Sequence, residues 1–213
     1  MANIYSTSTD CFNDLTDDET YVSSTDTKYA TAMTGFITAA SRLIDGEVGR
    51  WDGFFYPSTD EVTRYYNGNG CSELEIDEFA SISAIGVSEQ GGVASTDYTT
   101  FAATDYFVEP YNYAANGKPI KKIVIDVLNG TQFSFFTYRK GVKVTGISGY
   151  SLTPPDVVAL ATRMQAIRWF MRAKQGYQDS GANVSIGGMT FKGKLELDPD
   201  VKALLWPLKL ELS

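Results

Sequence analysis

The 213-residue chain is long enough for one sizeable core or a core with a satellite subdomain, and its 43% apolar and 21% charged content excludes a disordered chain. Its net charge of −8 argues against a surface that grips DNA through the phosphates. The absence of His removes the usual general base, the Ser-His triads and the commonest zinc ligand, so we expect no enzymatic activity, no cofactor and no metal.

The two cysteines, Cys11 and Cys71, stand far apart and lack CxxC spacing, which favours ordinary reduced thiols over a disulfide framework. The N-terminus has neither a cationic nor an apolar signal region, and no stretch approaches the roughly 20 apolar residues of a membrane helix. We expect a protein that is made and kept in a cytoplasm and has no membrane partner.

The stretch from Asn13 to Asp26 is acidic and rich in Ser and Thr. Thr16 and Glu19 have capping-box spacing, which predicts a short helical turn. Clustered acidic residues such as Asp14 and Asp18 could suggest a calcium-binding loop, but the ordered Asp and Gly positions of such a loop are missing. A solvated helix start is the better interpretation.

Two amphipathic patterns predict the main helices. From Lys28 to Ile44, apolar residues recur at intervals of three and four, and Gly46 is the expected end. From Pro154 to Lys174, Thr153 is a candidate cap, and Gly176 is the expected stop. The apolar stripe predicted for this second helix comprises Val157, Leu160, Ala161, Met164, Ile167 and Met171.

The block between the helices is rich in Tyr, Thr, Val and Gly and predicts six or seven short strands. Candidate strands are Val62–Tyr66, one around Leu74 and Ile76, another around Ile82 to Val87, Tyr98–Phe101, Tyr106–Val108, Lys121–Leu128, Gln132–Tyr138 and Val142–Ile147. Asn129-Gly130 is the strongest hairpin signal in the chain.

The final stretch begins with a Gly-rich and Ser-rich linker. Asp198-Pro199 then predicts a short helix to Trp206, with Pro207 breaking it. This end is densely apolar, which is typical of a segment that docks on another surface.

Three patterns could carry chemistry, and each has a plainer interpretation. Alternating Glu73, Glu75 and Asp77 could serve a glycosidase, but more simply form the solvent face of a strand. Glycines from Gly141 to Gly149 lack any phosphate-loop motif and suit a bulge or turn. A sugar-stacking surface is the remaining alternative, although packing within the sheet or between subunits is favoured; its candidates are Trp51, Tyr56, Tyr65 and Tyr66.

The order of several short motifs resembles the head-tail connector, or adaptor, proteins of long-tailed bacteriophages. The motifs span most of residues 28–175 and are Ala39–Asp45, Gly49-Arg50, Phe54–Pro57, Thr63–Gly68, Asp105-Tyr106, Glu109-Pro110, Gly141–Gly146, Gly149-Tyr150 and Pro154–Val157. Further similarity lies at Val201, Ala203, Leu204, Leu205 and Pro207. The Ser-rich and Thr-rich N-terminus and the long linker depart from the pattern.

This resemblance implies a structural virion protein of the neck. It implies a homo-oligomeric ring, usually of twelve copies, that lies between the portal protein and a stopper or tail-completion protein after assembly in the host cytoplasm. Genomic DNA would pass through the lumen without sequence-specific binding, and the acidic balance suits such a conduit. The alternative is a β-rich carbohydrate-binding module or a virion decoration protein.

We therefore expect an α+β fold: a platform of two amphipathic helices with an inserted antiparallel β subdomain and an extended C-terminal arm. The expected divisions are an N-terminal extension (1–26), the first helix (27–50), the β insertion (51–150), the second helix (151–176) and a linker with a portal-docking arm (177–213). Expected portal contacts are Val201, Leu204, Leu205, Trp206 and Leu208, and expected ring contacts are Arg42, Arg50, Arg163, Arg168 and Arg172.

Overall fold

A computed structural model describes residues 3–15, 27–91, 98–130, 132–174, 185–186, 189–190 and 197–212 of the chain. It confirms the α+β class, with helices and an antiparallel sheet. The chain divides into two compact units. The β unit holds Asn3 and Phe54–Thr153, and the helical unit holds Ile4–Gly53 and the chain from Pro154 onward. Within the described residues, no helix has the length and apolarity that crossing a membrane requires.

In the described part of the helical unit there are four helices: α1 (Ser8–Asn13), α2 (Thr27–Val48), α3 (Asp156–Lys174) and α4 (Pro199–Leu212). Thr7 caps α1 in a capping box with Asp10. In α2 the hydroxyls of Thr31, Thr34 and Thr38 donate to carbonyls one turn earlier, so this Thr-rich segment satisfies its side chains within the helix.

The core of the helical unit forms where α1, α2 and α3 meet. The ring of Phe170 packs edge-on against Phe12, at 5.8 Å, and against Tyr29, at 6.0 Å. Because Tyr29 opens α2 and Phe170 lies near the end of α3, the two long helices run antiparallel. The buried members of this cluster are Cys11, Phe12, Met33, Ile37, Ala40, Ala166 and Phe170.

Three predicted helix boundaries were wrong. Helix α2 continues through Gly46 and ends at Val48, and Gly49, with φ of 76°, provides the left-handed residue that follows it. Helix α3 begins at Asp156, beyond Thr153. Helix α4 continues through Pro207, because one missing backbone donor on an exposed face does not stop a helix whose other side is anchored.

The β unit is an antiparallel sheet of β1 (Val62–Tyr66), β2 (Glu73–Val87), β3 (Thr99–Thr100), β4 (Tyr106–Glu109), β5 (Ile120–Ile125) and β6 (Val142–Ser148). The order is β1-β6-β2-β5-β4, and β3 pairs with the end of β2. The first and last residues of the β unit lie together, because the Tyr150 amide donates a hydrogen bond to the Phe54 carbonyl at 2.8 Å. A separate two-stranded pairing links β7 (Ser185–Ile186) and β8 (Met189–Thr190).

Two predicted strands around Leu74 and Ile82 are one long strand, β2. Bulges bend it, so that its first half pairs with β5 and its second half pairs with β6. Gly146 lies opposite one bulge, where an added Cβ would stand 2.2 Å from the Ser81 carbonyl oxygen. Gly146 thus lies within β6 opposite a bulge of β2, whereas the prediction placed a bulge or turn between the last strand and the helix.

The predicted hairpin at Asn129-Gly130 was wrong. The Asp126 carboxylate accepts hydrogen bonds from the Leu128 and Asn129 amides and from the Asn129 side chain, forming a compact turn after β5. No strand forms over 132–138; instead Phe135 enters the core of the β unit. The burial of one aromatic ring outweighs the local turn signal.

The predicted turn at Thr16 and Glu19 lies outside the described residues, as does most of the linker before α4. Asp14, the described member of the acidic stretch, belongs to the end of α1.

The two thiols should differ sharply in reactivity. Burial raises the pKa of Cys11 to about 11, whereas Cys71 is exposed. Because the thiolate is the reactive species, a chromogenic disulfide reagent at pH 8 should label one thiol quickly and the second only after denaturant is added. Cys71→Ser is expected to abolish the fast phase alone; a fast phase that persists in this variant would contradict the burial of Cys11.

Candidate functional site

The structure places all ten predicted interface residues in the helical unit, and several of them serve that unit itself. Arg42 illustrates this best. Its guanidinium lies 3.4 Å from the Asp45 carboxylate and 5.6 Å from the centre of the Tyr5 ring. Asp45 is fully buried, and it also accepts hydrogen bonds from the Tyr5 hydroxyl and from the Gly53 amide, at 2.9 Å. This carboxylate ties the N-terminal segment, the end of α2 and the following turn together.

Burial raises the pKa of Asp45 above its usual value, even though the Tyr5, Gly53 and Arg42 contacts favour the ionised form. The folded state therefore holds this proton more tightly than the unfolded chain does. It follows that the contribution of Asp45 to stability declines as pH rises from the unfolded pKa, near 4, through the folded one.

Two other predicted ring contacts anchor neighbouring helices of the same unit. Arg163 lies 2.7 Å from Asp14, which joins α3 to the end of α1. Arg168 pairs with Asp198, whose backbone amide donates to the side-chain Oε1 of the buried Gln165 at 3.1 Å. Since the Asp198 side chain also accepts from the Asp200 amide, this carboxylate both caps α4 and fastens it to α3.

The remaining two arginines, Arg50 and Arg172, are half-buried on the helical unit. For Arg42, Arg163 and Arg168, the contacts within the chain already account for the cation. The ring role of all five therefore remains a prediction. The i, i+3 spacing of Arg42 and Asp45 is a sequence signal of their pairing, whereas the partners of Arg163 and Arg168 are distant in sequence.

The C-terminal segment does not project as a free arm. In α4, Val201 and Leu205 are fully buried inside the helical unit, and Lys209 reaches Glu47 of α2 at 3.3 Å. The expectation of an extended arm was wrong in this respect: apolar side chains at i and i+4 find a face to cover within their own subunit. Leu204 and Leu208 are half-buried, and Trp206 is 60% exposed.

Exposed apolar side chains of the helical unit collect at one end. This end is where α2 finishes and α3 begins, and the Lys209–Glu47 ion pair brings the second half of α4 to it. The large apolar side chains exposed on the described helical unit are Leu43, Trp51, Val157, Leu160 and Trp206. We call these five residues the apolar end.

Helix α3 has an inverted polarity in part of its length: it exposes two large apolar side chains and buries two polar ones. The predicted core stripe repeats at intervals of three and four, yet Val157 and Leu160 are about two-fifths exposed, and Met164 is half-buried. Meanwhile the polar Thr162 and Gln165 are fully buried. The buried residues of α3 are Val158, Ala161, Thr162, Gln165, Ala166 and Phe170. Of the predicted stripe, Ala161 is buried, and Ile167 and Met171 are partly buried against the helical core. The predicted face was therefore wrong at Val157 and Leu160, in the first half of the helix.

The β unit bears on the sugar-stacking alternative. The ring of Tyr65 packs against Tyr98 at 5.9 Å, and the hydroxyl of Tyr66 bonds to Asp77 at 3.1 Å. Both rings therefore have partners in the sheet, as the packing interpretation expects. The acidic strand residues also have cationic neighbours: Asp77 pairs with Arg64 at 2.7 Å. Within the described residues, no cluster of three His, Cys, Asp or Glu side chains is arranged to hold a metal ion.

Comparison with known proteins places the chain in no established family. No family model matches it, and no curated protein matches it. Among solved structures, it is similar to a chain of the neck of an empty gene transfer agent (GTA) particle computed with C6 symmetry, with 13% identity, a TM-score of 0.49 and coverage of 94% of this chain and 87% of that one.

Two further structures are similar at the same 13% identity. One is the virion of the native GTA particle, with a TM-score of 0.43 and coverage of 94% and 87% of the two chains. The other is the neck of the native GTA particle computed with C12 symmetry, with a TM-score of 0.41 and coverage of 97% and 93%. Likenesses this distant decide neither the family nor the function of this chain.

The buried carboxylate gives a stability test. Tyr5→Phe removes one hydrogen bond to Asp45 and should lower the free energy of unfolding by about 1–2 kcal/mol. Thr31→Ala, which removes an exposed hydroxyl from α2, is the control and should change it by less than about 0.5 kcal/mol. Urea denaturation measures both, and equal stabilities of Tyr5→Phe and wild type would contradict the role of Asp45 as a tie.

The pKa of Asp45 gives a test in pH. Relative to Asp45→Asn, the wild-type free energy of unfolding should fall as pH rises from about 4 through the raised pKa, and then level off. A difference between the two proteins that rises over this range would mean that the folded pKa is lowered.

The packing of α4 gives a third test. Deleting residues 198–213 uncovers the faces that Val201 and Leu205 bury, so we expect a lower unfolding midpoint and increased binding of a hydrophobic dye. A truncated chain as stable as wild type would restore the expectation of a detached arm.

Proposed function

We propose that this protein is a structural component of a phage-type neck, a head-tail adaptor that assembles as a ring between a portal protein and a stopper or tail-completion protein. The observation that carries the proposal is the inverted polarity of α3. A helix that buries Thr162 and Gln165 while it exposes Val157 and Leu160 has an outer surface suited to a second polypeptide.

The apolar end supports contact with another protein. Large exposed apolar residues at one end of a domain are typical of protein-protein interaction sites, and Trp is enriched among energetically dominant contacts. Trp206 is the most exposed member of the apolar end, on a helix that its own buried residues hold in place. A rigid helix that presents one large ring is well suited to dock on a portal.

The order of motifs in the sequence, which resembles that of the connector proteins, supports the same placement. A cyclic ring needs two different surfaces on each copy, and the outer stripe of α3 supplies one of them in this proposal. The excess of carboxylates suits passage of DNA, because a wall of the same sign as the phosphates does not retain the duplex.

The revised portal contacts are the side chains of α4 that remain accessible: Trp206, with Leu204 and Leu208 beside it. Val201 and Leu205 act through the fold, since they hold α4 against its own unit. In this proposal the Trp206 side chain makes the contact with the portal, and the buried Val201 and Leu205 position the helix that carries it.

Trp206→Ala tests the docking role. It should weaken binding to purified portal at least 10-fold, since loss of a dominant interface aromatic costs about 2 kcal/mol or more, and leave the unfolding midpoint nearly unchanged. Lys202→Ala, an exposed position one turn earlier on α4, is the matched control and should bind nearly as wild type does.

Calorimetric titration with purified portal separates the outcomes. Equal affinities of wild type and Trp206→Ala would remove α4 from the interface. A wild-type chain that neither forms a ring nor binds portal would overturn the proposed function itself.

A further inference from the structure

The sheet of the β unit carries a basic, aromatic row on one side. Tyr65 of β1 pairs in register with Lys143 of β6, and Lys143 in turn pairs with Gly86 of β2. Tyr98 lies directly over Gly86, where an added Cβ would stand 3.1 Å from the Tyr98 Cβ. The glycine therefore leaves room for the second ring beside the first.

Two ammonium groups flank the paired rings. The Lys140 Nζ lies 5.9 Å from the centre of the Tyr65 ring, and the Lys143 Nζ lies 5.6 Å from the centre of the Tyr98 ring. The Tyr98 hydroxyl donates to the Lys140 carbonyl at 2.6 Å, which holds this corner in place. We call Tyr65, Tyr98, Lys140 and Lys143 the basic row.

The basic row is unusual in this chain. The net charge is −8, yet within the described residues neither Lys140 nor Lys143 has a carboxylate within 4 Å. Lys140 is exposed at a corner with φ of 51°, and Tyr65 is 47% exposed. The two ammonium groups thus lie beside aromatic faces of the β unit.

The first half of β2, which pairs with β5, carries acidic side chains. Glu73 and Glu109 both approach Lys122, at 3.0 Å and 3.7 Å, and Glu75 lies on the same stretch of β2. Three carboxylates face one ammonium, and Glu73 beside it raises the pKa of Lys122. A groove of about 530 Å³ is lined by Glu73, Glu75 and Lys122. We call it the acidic groove.

The basic row and the acidic groove lie apart on the β unit. Gly86 and Glu75 are separated by eleven residues along β2, a contour length of roughly 35 Å that the bulges bend. The row lies on the half of β2 that pairs with β6, and the groove lies on the half that pairs with β5. Two unlike, complementary surfaces placed apart on one subunit allow head-to-tail contacts, which form a ring when the rotation between copies closes.

We propose that the basic row of one copy docks in the acidic groove of a second copy, so that the β units form a charge-complementary, head-to-tail contact within the ring. This inference rests on the proposed function, which supplies the ring. It names a surface of the β unit that is separate from the helical unit and from Trp206. Opposite charges across such a contact set partner orientation and speed association, and they make assembly sensitive to salt.

Charge reversal tests the pairing. The row-reversed chain is Lys140→Glu with Lys143→Glu, and the groove-reversed chain is Glu73→Lys with Glu75→Lys. Each should weaken ring formation at least 10-fold in sedimentation velocity, with portal present as template, because like charges then face each other. Lys140→Arg with Lys143→Arg keeps the charge and should assemble within about threefold of wild type. Circular dichroism checks that every chain is folded.

Mixing the two reversed chains is the decisive measurement. The acidic row of the first then faces the basic groove of the second, and the original basic row of the second faces the acidic groove of the first. We expect chains that fail alone to form mixed rings of alternating copies.

Each outcome is informative. Rings of wild type together with unaffected rings of both reversed chains would overturn this inference and leave the proposed function intact. Reversed chains that fail alone and are not rescued by mixing would also overturn the pairing. A wild-type chain without rings, with or without portal, would overturn the proposed function and this inference together.

Discussion

The helical unit depends on the antiparallel packing of α2 on α3. Phe170 of α3 packs against Tyr29 of α2 and against Phe12 of α1, which fixes this end of the helix pair. At the far end of α2, the buried Asp45 holds the N-terminal segment and the turn that follows the helix. Helix α3 places Gln165 and Arg168 next to Asp198. Through these two contacts, Asp198 holds the start of α4 against α3. The position of Trp206 follows from that anchoring.

This arrangement explains why apolar residues remain outside. The inner face of α3 is occupied by small and polar side chains, such as Ala161 and Thr162, which allow close approach to its neighbours. The larger Val157 and Leu160 then have no place within the unit. Covering such residues with a second chain would remove apolar surface from water, which is how the polarity of α3 bears on the proposed assembly.

Sequence patterns captured the class of the fold and the existence of both long helices, because periodicity over four to six turns is a strong signal. They failed where a tertiary contact decides between local options. Asn129-Gly130 has the sequence of a hairpin turn, but Asp126 recruits it into a different turn and Phe135 fills the core. Likewise, a bulge is not visible in the alternation of β2, so one strand was predicted as two.

The candidate interfaces were the least predictable part. An arginine at a helix surface has the same sequence signature whether it contacts a neighbouring copy or Asp45, Asp14 or Asp198 of its own chain. In the same way, the apolar pattern of α4 does not distinguish an arm that docks elsewhere from a helix that folds back. Only the geometry separates Leu205, which is buried, from Trp206 beside it, which is exposed.

A map of the assembled particle neck would test the central claim most directly, namely that the outer stripe of α3 is covered by another polypeptide while α4 stays on its own subunit. The account predicts a neighbouring chain within about 4 Å of Val157 and Leu160, with Leu205 still buried as it is in the single chain. A neck in which that stripe of α3 faces open solvent, or in which α4 has left its own unit, would contradict it.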